Sequence, residues 1–310
     1  MNEPHSPFYY KGRYHVLYQH NPSGPYWSQI RWGHLVSDDM IHWEYVKDAV
    51  VPTDKICPEG VWTGGAVIGP DGTPWLAITA GTTNTTWTGQ NVAFAHCADP
   101  DDPDLTDWIV EDVVTITQPA DNSQGEREQF RDPFVWFDDG IYYMVVSTSI
   151  PGAGGSGVVY TSENMHEWEH KGYLVDIPLD KYPEQGAHWE CVVMFPITTK
   201  DGKTTKYILF DCPQYTVDGY IVDCYYWIGT FDKNNCRFIP DDEKPRERFK
   251  KYGVEALSNE ELLSILIRTG TNSKSVKNLS TDLLKLIDIH DLVNINYNAL
   301  KNIKGIGEVK

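Results

Sequence analysis

Segments that predict β-hairpins recur along residues 1–240 at intervals of about 60 residues. Each segment has a run of aromatic and β-branched residues, a turn that contains Gly and a second such run. The stretch 7–14 can be laid over the stretch 133–142, and similar hairpins follow at 65–78 and 191–210. A repeat of four short strands, with no helical periodicity before residue 241, predicts the blades of a β-propeller.

A second repeated element lies between these hairpins. Residues 37–44, which read SDDMIHWE, match residues 162–169, which read SENMHEWE, and residues 105–108 form a weaker copy. Each copy contains a Trp residue, namely Trp43, Trp168 or Trp108. We expect these three indole rings to be core anchors on an outer strand of each repeat, because large aromatic side chains dominate the energetics of protein cores.

Composition divides the chain into two parts near residue 241. All eleven Trp, all six Cys and all but one of the Pro residues precede this point. Residues 1–240 carry 14 basic and 33 acidic residues, a net charge of -19, whereas residues 241–310 carry 12 and 11. The acidic first part disfavours nucleic acids and anionic membranes as its partners, because its field repels phosphate, but it leaves neutral substrates such as sugars open.

The cysteines show no C-x-x-C pair and no zinc-like spacing, so we expect free thiols in a reducing compartment. The chain shows neither an apolar run long enough to span a membrane nor a leader sequence, which predicts a cytoplasmic protein without membrane contacts. His34 and His42 are expected to be structural, because no His, Asp and Glu spacing is typical of a metal site. The sequence indicates no cofactor and leaves the oligomeric state open.

Three acidic residues stand at or just before the start of a repeat. Glu3 belongs to the first unit, Asp132 to the third and Glu190 to the fourth. Because the first strand of each propeller blade lines the central channel, we expect these side chains to meet in one funnel. A pair of carboxylates in a closed pocket is what cleavage of a glycosidic bond requires.

Seven motifs occur in an order that resembles glycoside hydrolase family 32, the invertase and fructan hydrolase family. They cover residues 1 to about 240 and read MNEP (1–4), YQHNP (18–22), WGHLVSDDMIHW (32–43), WTGGAV (62–67), FRDP (130–133), WEC (189–191) and DCYYWIGTFD (223–232). The resemblance implies a catalytic domain with a five-bladed propeller. It also implies hydrolysis of terminal β-fructofuranosyl linkages, as in sucrose and fructans, with retention of configuration.

The resemblance implies roles for individual residues. Glu3 falls on the position of the nucleophile, Glu190 on that of the general acid/base, and Asp132 on that of an acid that holds sugar hydroxyls and stabilises the transition state. Five further residues fall on positions that resemble the lining of the sugar pocket: Asn2, Gln19, Trp27, Trp62 and Arg131.

The residues themselves give a compatible picture of the acids. Because Trp189 and Cys191 flank Glu190, we expect apolar surroundings that raise its pKa and keep it protonated for proton donation. Asp132 follows Arg131, but neighbours on a strand point to opposite faces, so a salt bridge between them is not expected.

Two departures from the family pattern concern the proposed nucleophile. Glu3 stands where the family has Asp, and His5-Ser6 stands where the family has Asn-Gly. The added methylene lengthens the side chain by roughly 1.5 Å, and catalytic geometry is sensitive to errors of about 1 Å. Either the pocket is reshaped around Glu3 or the position is impaired; we favour a reshaped pocket because the other motif acids remain.

After residue 241 the hydrophobic pattern becomes helical. A capping box at Ser258 and Glu261 opens a run of apolar residues for which Gly270 is a fitting end, and further runs cover 276–287 and 292–303. Residues 245–310 resemble the N-terminal region of the bacterial RadC family. This resemblance implies a helix-hairpin-helix with DNA contacts at Gly305, Ile306 and Gly307. The alternative is a bundle that packs and binds nothing.

The predicted arrangement is therefore an incomplete propeller of about four blades over residues 1–240, joined to a small all-α helix-hairpin-helix-like domain over 241–310. The joined fragments predict a chimera. The leading functional hypothesis is a glycosidase acting on sucrose or a fructose-containing oligosaccharide. The alternatives are a non-catalytic sugar-binding propeller and a DNA-binding role of the tail. The sequence leaves open which fructoside is preferred and whether water or a sugar accepts the fructosyl group.

Overall fold

The computed structural model describes residues 3–82, 89–175, 186–200, 202–214, 224–241, 249, 253–268, 271 and 274–287. The chain divides into two compact units, Met1–Asp241 and Asp242–Lys310.

The first unit contains four antiparallel sheets of four strands each, and every sheet is a simple meander in chain order. The first sheet consists of β1 (Pro4–Tyr10), β2 (Arg13–His20), β3 (Arg31–Ser37) and β4 (Glu44–Val50). The second consists of β5 (Gly60–Ile68), β6 (Pro74–Gly81), β7 (Gln90–Cys97) and β8 (Trp108–Thr117).

The third sheet consists of β9 (Arg131–Asp138), β10 (Ile141–Ile150), β11 (Gly154–Ser162) and β12 (Glu169–Tyr173). The fourth consists of β13 (His188–Thr198), β14 (Thr205–Gln214), β15 (Tyr225–Asp232) and β16 (Arg237–Pro240). Four successive meanders are the blades of a β-propeller, so the predicted fold of about four blades is confirmed for the described residues.

Tight turns join the first two strands of the first and third blades. At Lys11 and Gly12 the backbone φ angles are 42° and 91°, and at Asp139 and Gly140 they are 53° and 85°. Two successive positive φ values are characteristic of a type I′ turn, whose twist matches that of the flanking strands. The hairpins predicted from these two glycines therefore form as expected.

A β-bulge interrupts the innermost strand of every blade. Ser6 and Pro7 lie opposite one residue of β2, Asp132 and Pro133 opposite one residue of β10, and Cys191 and Val192 opposite one residue of β14. Thr63 is the extra residue of the bulge in β5. Such bulges bend a strand and redirect its side chains, and they are common beside active sites.

The bulges of the first, third and fourth blades share an uncommon backbone conformation. Ser6, Asp132 and Cys191 have φ values of 50°, 57° and 50°. A left-handed conformation costs a residue other than Gly about 1 kcal/mol or more, so the surrounding contacts must hold it in place.

The turn between the third and fourth strands explains the repeated Ser-containing element. Ser37 Oγ accepts hydrogen bonds from the amides of Asp39 and Met40, and Ser162 Oγ does the same for Asn164 and Met165. The side chain at the third position then caps the following amides through a carboxylate or an amide oxygen. These local bonds favour a turn over a strand.

The expected role of the Trp residues in this element is partly wrong. The indole N–H of Trp43 donates to Met40 O and that of Trp168 donates to Met165 O, so both rings close the turn before the fourth strand. Trp168 and Trp108 pack partly buried against the core, whereas 36% of Trp43 is exposed. The hydrogen bond to the turn, rather than burial, is the feature that the two matched Trp residues share.

Apolar clusters lie between neighbouring blades. Residues of the first and second blades form one cluster around Leu17 and Trp32, and residues of the second and third form another around Phe94 and Met144. A third cluster joins the third and fourth blades around Trp189. Burial of these side chains is the dominant favourable term that holds successive sheets face to face.

The described residues of the second unit include two short α-helices, α1 (Asn259–Ile267) and α2 (Val276–Leu286). The predicted capping box is present: Ser258 N donates to Glu261 Oε2 at 2.8 Å and Glu261 N donates to Ser258 Oγ at 3.3 Å. The helices pack through Leu263, Ile267, Leu279 and Leu283. The helix expected at 292–303 and Gly270 lie outside the described residues.

No helix in the parts of the chain that the structure describes combines the length and the apolar character of a membrane span.

Candidate active site

Acidic residues of three blades line a cavity of about 590 Å³. Glu3 precedes β1, Asp132 lies in the bulge of β9, and Glu190 immediately precedes the bulge of β13. All three line the same cavity. The expected convergence is therefore present. The three acids nevertheless occupy different positions relative to the bulge of their strand. Asp132 is the first bulge residue, as are Ser6 and Cys191, whereas Glu190 precedes the bulge, as do His5 and Arg131.

Two polar side chains hold the Glu3 carboxylate. Gln19 Nε2 donates to Glu3 Oε1 at 2.9 Å, and Thr63 Oγ1 donates to the same oxygen. Gln19 is 1% exposed and also donates to Thr63 Oγ1. Because both donors belong to strands with extensive pairing, the position of the carboxylate is fixed by the first two blades.

The residues that depart from the family pattern are integrated into the same blades. Ser6 Oγ donates to Gly64 O at 3.0 Å, and His5 Nδ1 lies 2.8 Å from Ser6 Oγ. The His5 ring contacts the Trp32 ring edge to face at a centroid distance of 4.2 Å. Burial lowers the pKa of His5 to about 3, so this ring is neutral. These contacts tie His5 and Ser6 to the first two blades, and the reshaped pocket around Glu3 stays a prediction.

Asp132 is buried, and its carboxylate faces the fourth blade. The amide N–H of Cys191 donates to Asp132 Oδ2 at 2.9 Å, and Thr79 Oγ1 accepts a bond of 2.8 Å from the Asp132 amide. Burial raises the pKa of Asp132 to about 6; the nearby Arg131 opposes this shift and Glu190 reinforces it.

Glu190 is paired with Arg131. Arg131 Nε donates to Glu190 Oε1 at 3.0 Å, and Arg131 Nη2 donates to the same oxygen. The expectation of apolar surroundings, drawn from Trp189 and Cys191, is therefore wrong, because the bulge brings Glu190 beside the Arg131 guanidinium of the neighbouring blade. The expectation that Arg131 would not pair with Asp132 agrees with this geometry.

Gln90 on β7 fixes the guanidinium that contacts Glu190. Its Oε1 accepts bonds from Phe130 N at 3.1 Å and from Arg131 Nη1 at 3.3 Å, while its Nε2 donates to Glu128 O at 2.9 Å. Gln90 is fully buried. A second amide, Gln129, accepts from Arg131 Nη1 at 2.7 Å.

Two Trp side chains form an aromatic wall. The rings of Trp27 and Trp62 lie 6.1 Å apart, and 51% of Trp27 is exposed at the mouth of the cavity. Trp32 Nε1 donates to Trp62 O at 3.0 Å, which anchors the inner Trp. Aromatic faces beside hydrogen-bonding groups suit a ligand that presents both C–H and O–H groups.

The structure thus brings together seven of the residues singled out in the sequence: Glu3, Gln19, Trp27, Trp62, Arg131, Asp132 and Glu190. Asn2 lies outside the described residues, as do Gly305, Ile306 and Gly307 of the expected DNA contact. The individual chemical roles of the cavity residues stay predictions.

Sequence reasoning missed other residues of the cavity. Thr63, Glu128, Gln129, Cys191, Cys212 and Gln214 also line it. Thr63 and Cys191 lie within the motifs WTGGAV and WEC, so their position in a motif was the available signal. Gln90 and Cys212 occur in strands without any charged motif, so nothing local marked them.

His34 and His42 are not among the residues that line this cavity. His34 is buried and its Nε2 lies 2.9 Å from His15 Nδ1, whereas His42 is exposed and contacts Asp39. Among the described residues no group of three or more His, Cys, Asp or Glu side chains is arranged to hold a metal ion.

Comparison with known families identifies both parts of the chain. The profile of the glycosyl hydrolases family 32 N-terminal domain matches residues 1–264. The chain belongs to family 32. A second profile, UPF0758 N-terminal, matches residues 237–310 and confirms the RadC-like resemblance of the tail.

The curated relatives of this family 32 chain include plant enzymes. An acid beta-fructofuranosidase of Phaseolus vulgaris is 37% identical over 257 residues, which cover 79% of this chain and 37% of that protein. A bifunctional 6(G)-fructosyltransferase/2,1-fructan:2,1-fructan 1-fructosyltransferase of Allium cepa is 32% identical, over 78% of this chain and 41% of that protein. The chain thus spans less than half the length of these relatives.

Solved structures agree with the propeller fold. Fructan 1-exohydrolase IIa from Cichorium intybus is similar with a TM-score of 0.64 and 26% identity, over 78% of this chain and 44% of that chain. A family 32 beta-fructofuranosidase of Bombyx mori has a TM-score of 0.61 and 27% identity, over 78% and 48%.

We predict that Gln90→Leu destabilises the protein by about 2 to 4 kcal/mol, because it leaves the buried Phe130 N–H without an acceptor and also removes the bonds to Arg131 and Glu128 O. Urea unfolding measures this difference. Gln29→Leu, at an exposed Gln that donates to Pro58 O, is the matched control and changes stability by less than about 0.5 kcal/mol. Equal stabilities of the two variants would contradict the assigned role of Gln90.

Asp132 predicts a specific dependence of stability on pH. Its pKa is raised in the folded state, so the unfolded chain releases this proton first and stability falls as pH rises from about 4 to about 6. Relative to Asp132→Asn, the unmodified chain loses about 2 to 3 kcal/mol of unfolding free energy over this interval. Urea titrations at successive pH values check it.

The control is Asp54→Asn, at an exposed acid, whose stability follows that of the unmodified chain. Parallel pH profiles for the unmodified chain and Asp132→Asn would show that Asp132 is not held in a desolvated position.

Proposed function

We propose that this chain is a retaining glycoside hydrolase that releases fructose from terminal β-fructofuranosyl units of sucrose or short fructans. The observation that carries this proposal is the single cavity into which three blades bring Glu3, Asp132 and Glu190 beside two Trp rings. The names of the relatives, beta-fructofuranosidase and fructan exohydrolase, support the substrate class.

Glu3 is the proposed nucleophile. The bonds from Thr63 and Gln19 fix its Oε1, so the other oxygen can attack the anomeric carbon. The longer Glu side chain reaches the sugar from a strand start reshaped by His5 and Ser6. A covalent fructosyl-enzyme then forms, and water releases the sugar.

Glu190 is the proposed acid/base. Arg131 holds its Oε1, and a carboxylate in this position can activate water in the second step. Proton donation in the first step requires this pair to loosen when the sugar fills the cavity. Asp132, desolvated and held by Cys191 N, accepts bonds from sugar hydroxyls and stabilises positive charge in the transition state.

Incubation with sucrose, 1-kestose and inulin tests this function. We expect fructose release by the unmodified chain and a rate lower by about 100-fold to 10,000-fold in Glu190→Gln. Glu3→Gln has a similar or larger effect, because it removes the carboxylate that forms the proposed covalent intermediate. Glu167→Gln, at an exposed acid of the third blade, is the control with unchanged rate.

Different products have different consequences. Folded protein that binds fructosides without turnover would contradict catalysis and favour a sugar-binding propeller. Fructose release unaffected by Glu190→Gln would contradict the assigned acid/base. Formation of longer oligosaccharides at high sucrose would identify a sugar as the acceptor, in line with the fructosyltransferase named among the relatives.

We further propose that the chain is a chimera of a family 32 propeller and a RadC-like segment, in a reducing, cytoplasmic compartment. The two family matches meet at residues 237–264, and the six cysteines are free thiols, which support these two proposals. Long-read sequencing across codons 236–250 of the parent locus tests the chimera: an unbroken junction is expected, and its absence would contradict it.

A further inference from the structure

Two cysteines face each other across the last blade, next to the cavity. In the antiparallel pairing of β14 with β15, Phe210 lies opposite Tyr226 and Asp211 opposite Tyr225. Continuation of this register by one residue places Cys212 opposite Cys224. The Cys224 thiol is close enough to contribute to the raised pKa of Cys212, after burial, which is the main cause.

The spacing of such a pair suits a disulfide. Residues directly opposite in an antiparallel pair have Cα atoms about 4.5 or 5.5 Å apart, according to their hydrogen-bonding position. Both values lie within the range of about 4.4 to 6.8 Å found for disulfides. No movement of the strands is therefore needed to join the two sulfur atoms.

The pair lies beside the acid/base proposed above. On its other side, β14 pairs with β13 so that Cys212 is directly opposite Glu190. Cys212 also lines the cavity, whereas Cys224 is exposed to solvent. A covalent bond between Cys224 and Cys212 would therefore act directly on a residue of the cavity wall.

We propose that Cys212 and Cys224 are a redox site, which hydrogen peroxide oxidises to a disulfide that draws the Cys212 sulfur from its place in the cavity wall opposite Glu190. Cys224 is exposed, and exposed disulfides are the kind that reductants reverse readily. The effect on hydrolysis rests on the function proposed above, whereas formation of the cross-link does not.

The chemistry proceeds in two balanced steps. Peroxide transfers one oxygen atom to the thiolate of Cys224, giving a sulfenic acid and releasing hydroxide, which takes up the thiol proton as water. The Cys212 sulfur then attacks the Cys224 sulfur: the S–S bond forms, the S–O bond breaks, and the leaving hydroxide takes the Cys212 proton as a second water. Two thiols are oxidised and one peroxide is reduced.

The surroundings assign the order of these steps. Burial and the adjacent Cys224 sulfur raise the pKa of Cys212 to about 12, so little of it is thiolate. Cys224 is exposed and meets the oxidant first. Cys191, the other thiol on the cavity wall, lies on β13, and β14 separates it from Cys224, so it is a poor competitor for the sulfenic acid.

The test treats the purified full chain with hydrogen peroxide and maps peptides by mass spectrometry without reduction. We expect a Cys212–Cys224 peptide pair that disappears with dithiothreitol and is absent from Cys224→Ser. Cys97→Ala, at a buried thiol of the second blade, retains the cross-link. No cross-link, or a bond between Cys191 and Cys212 instead, would overturn the proposal.

The same samples are assayed for fructose release from sucrose. We expect oxidation to lower the rate by about tenfold or more, since displacements of about 1 Å near a reacting group cost up to about 100-fold. Dithiothreitol restores the rate, and Cys224→Ser keeps full activity after peroxide. Equal rates in the cross-linked and reduced protein would overturn the effect on the cavity.

Failure of the two proposals can be told apart. A reduced chain that hydrolyses nothing contradicts the proposed function, and with it the effect on hydrolysis, while the peptide map decides the cross-link by itself.

Discussion

The bulges of the four innermost strands are joined by hydrogen bonds from blade to blade, and the cavity depends on this connection. Ser6 Oγ donates to Gly64 O, Asp132 N donates to Thr79 Oγ1, and Cys191 N donates to Asp132 Oδ2. Each bond links one blade to the next. Three of the bulges contain a residue with a left-handed backbone conformation, namely Ser6, Asp132 or Cys191. This conformation is unfavourable by itself, and the hydrogen bonds between blades hold it in place.

The same connection gives each acid a different environment. Glu3 receives bonds from neutral donors, Glu190 receives them from a guanidinium, and Asp132 is desolvated beside both. Different environments around neighbouring carboxyl groups are how a site assigns separate roles to chemically similar residues. The raised pKa of Asp132 follows from its burial, which the bulge of β9 imposes.

The repeats were sufficient to predict the blades and the convergence of the acids, because a periodic hairpin pattern has few ways to bury its apolar face. Local sequence could not predict the partner of Glu190. Its flanking residues, Trp189 and Cys191, are apolar, but the bulge turns the carboxylate toward Arg131 of another blade. Gln90 was missed for a related reason, since its function depends on bonds to residues about 40 positions away.

Convergence of the carboxyl groups is tested most directly by a crystal structure of the full chain with fructose bound. The sugar should lie between Glu3 and Glu190, with their carboxyl groups about 5 to 5.5 Å apart, the separation that retaining glycosidases use. Carboxyl groups about 9 Å or more apart, or a sugar that contacts neither of them, would contradict a shared catalytic cavity.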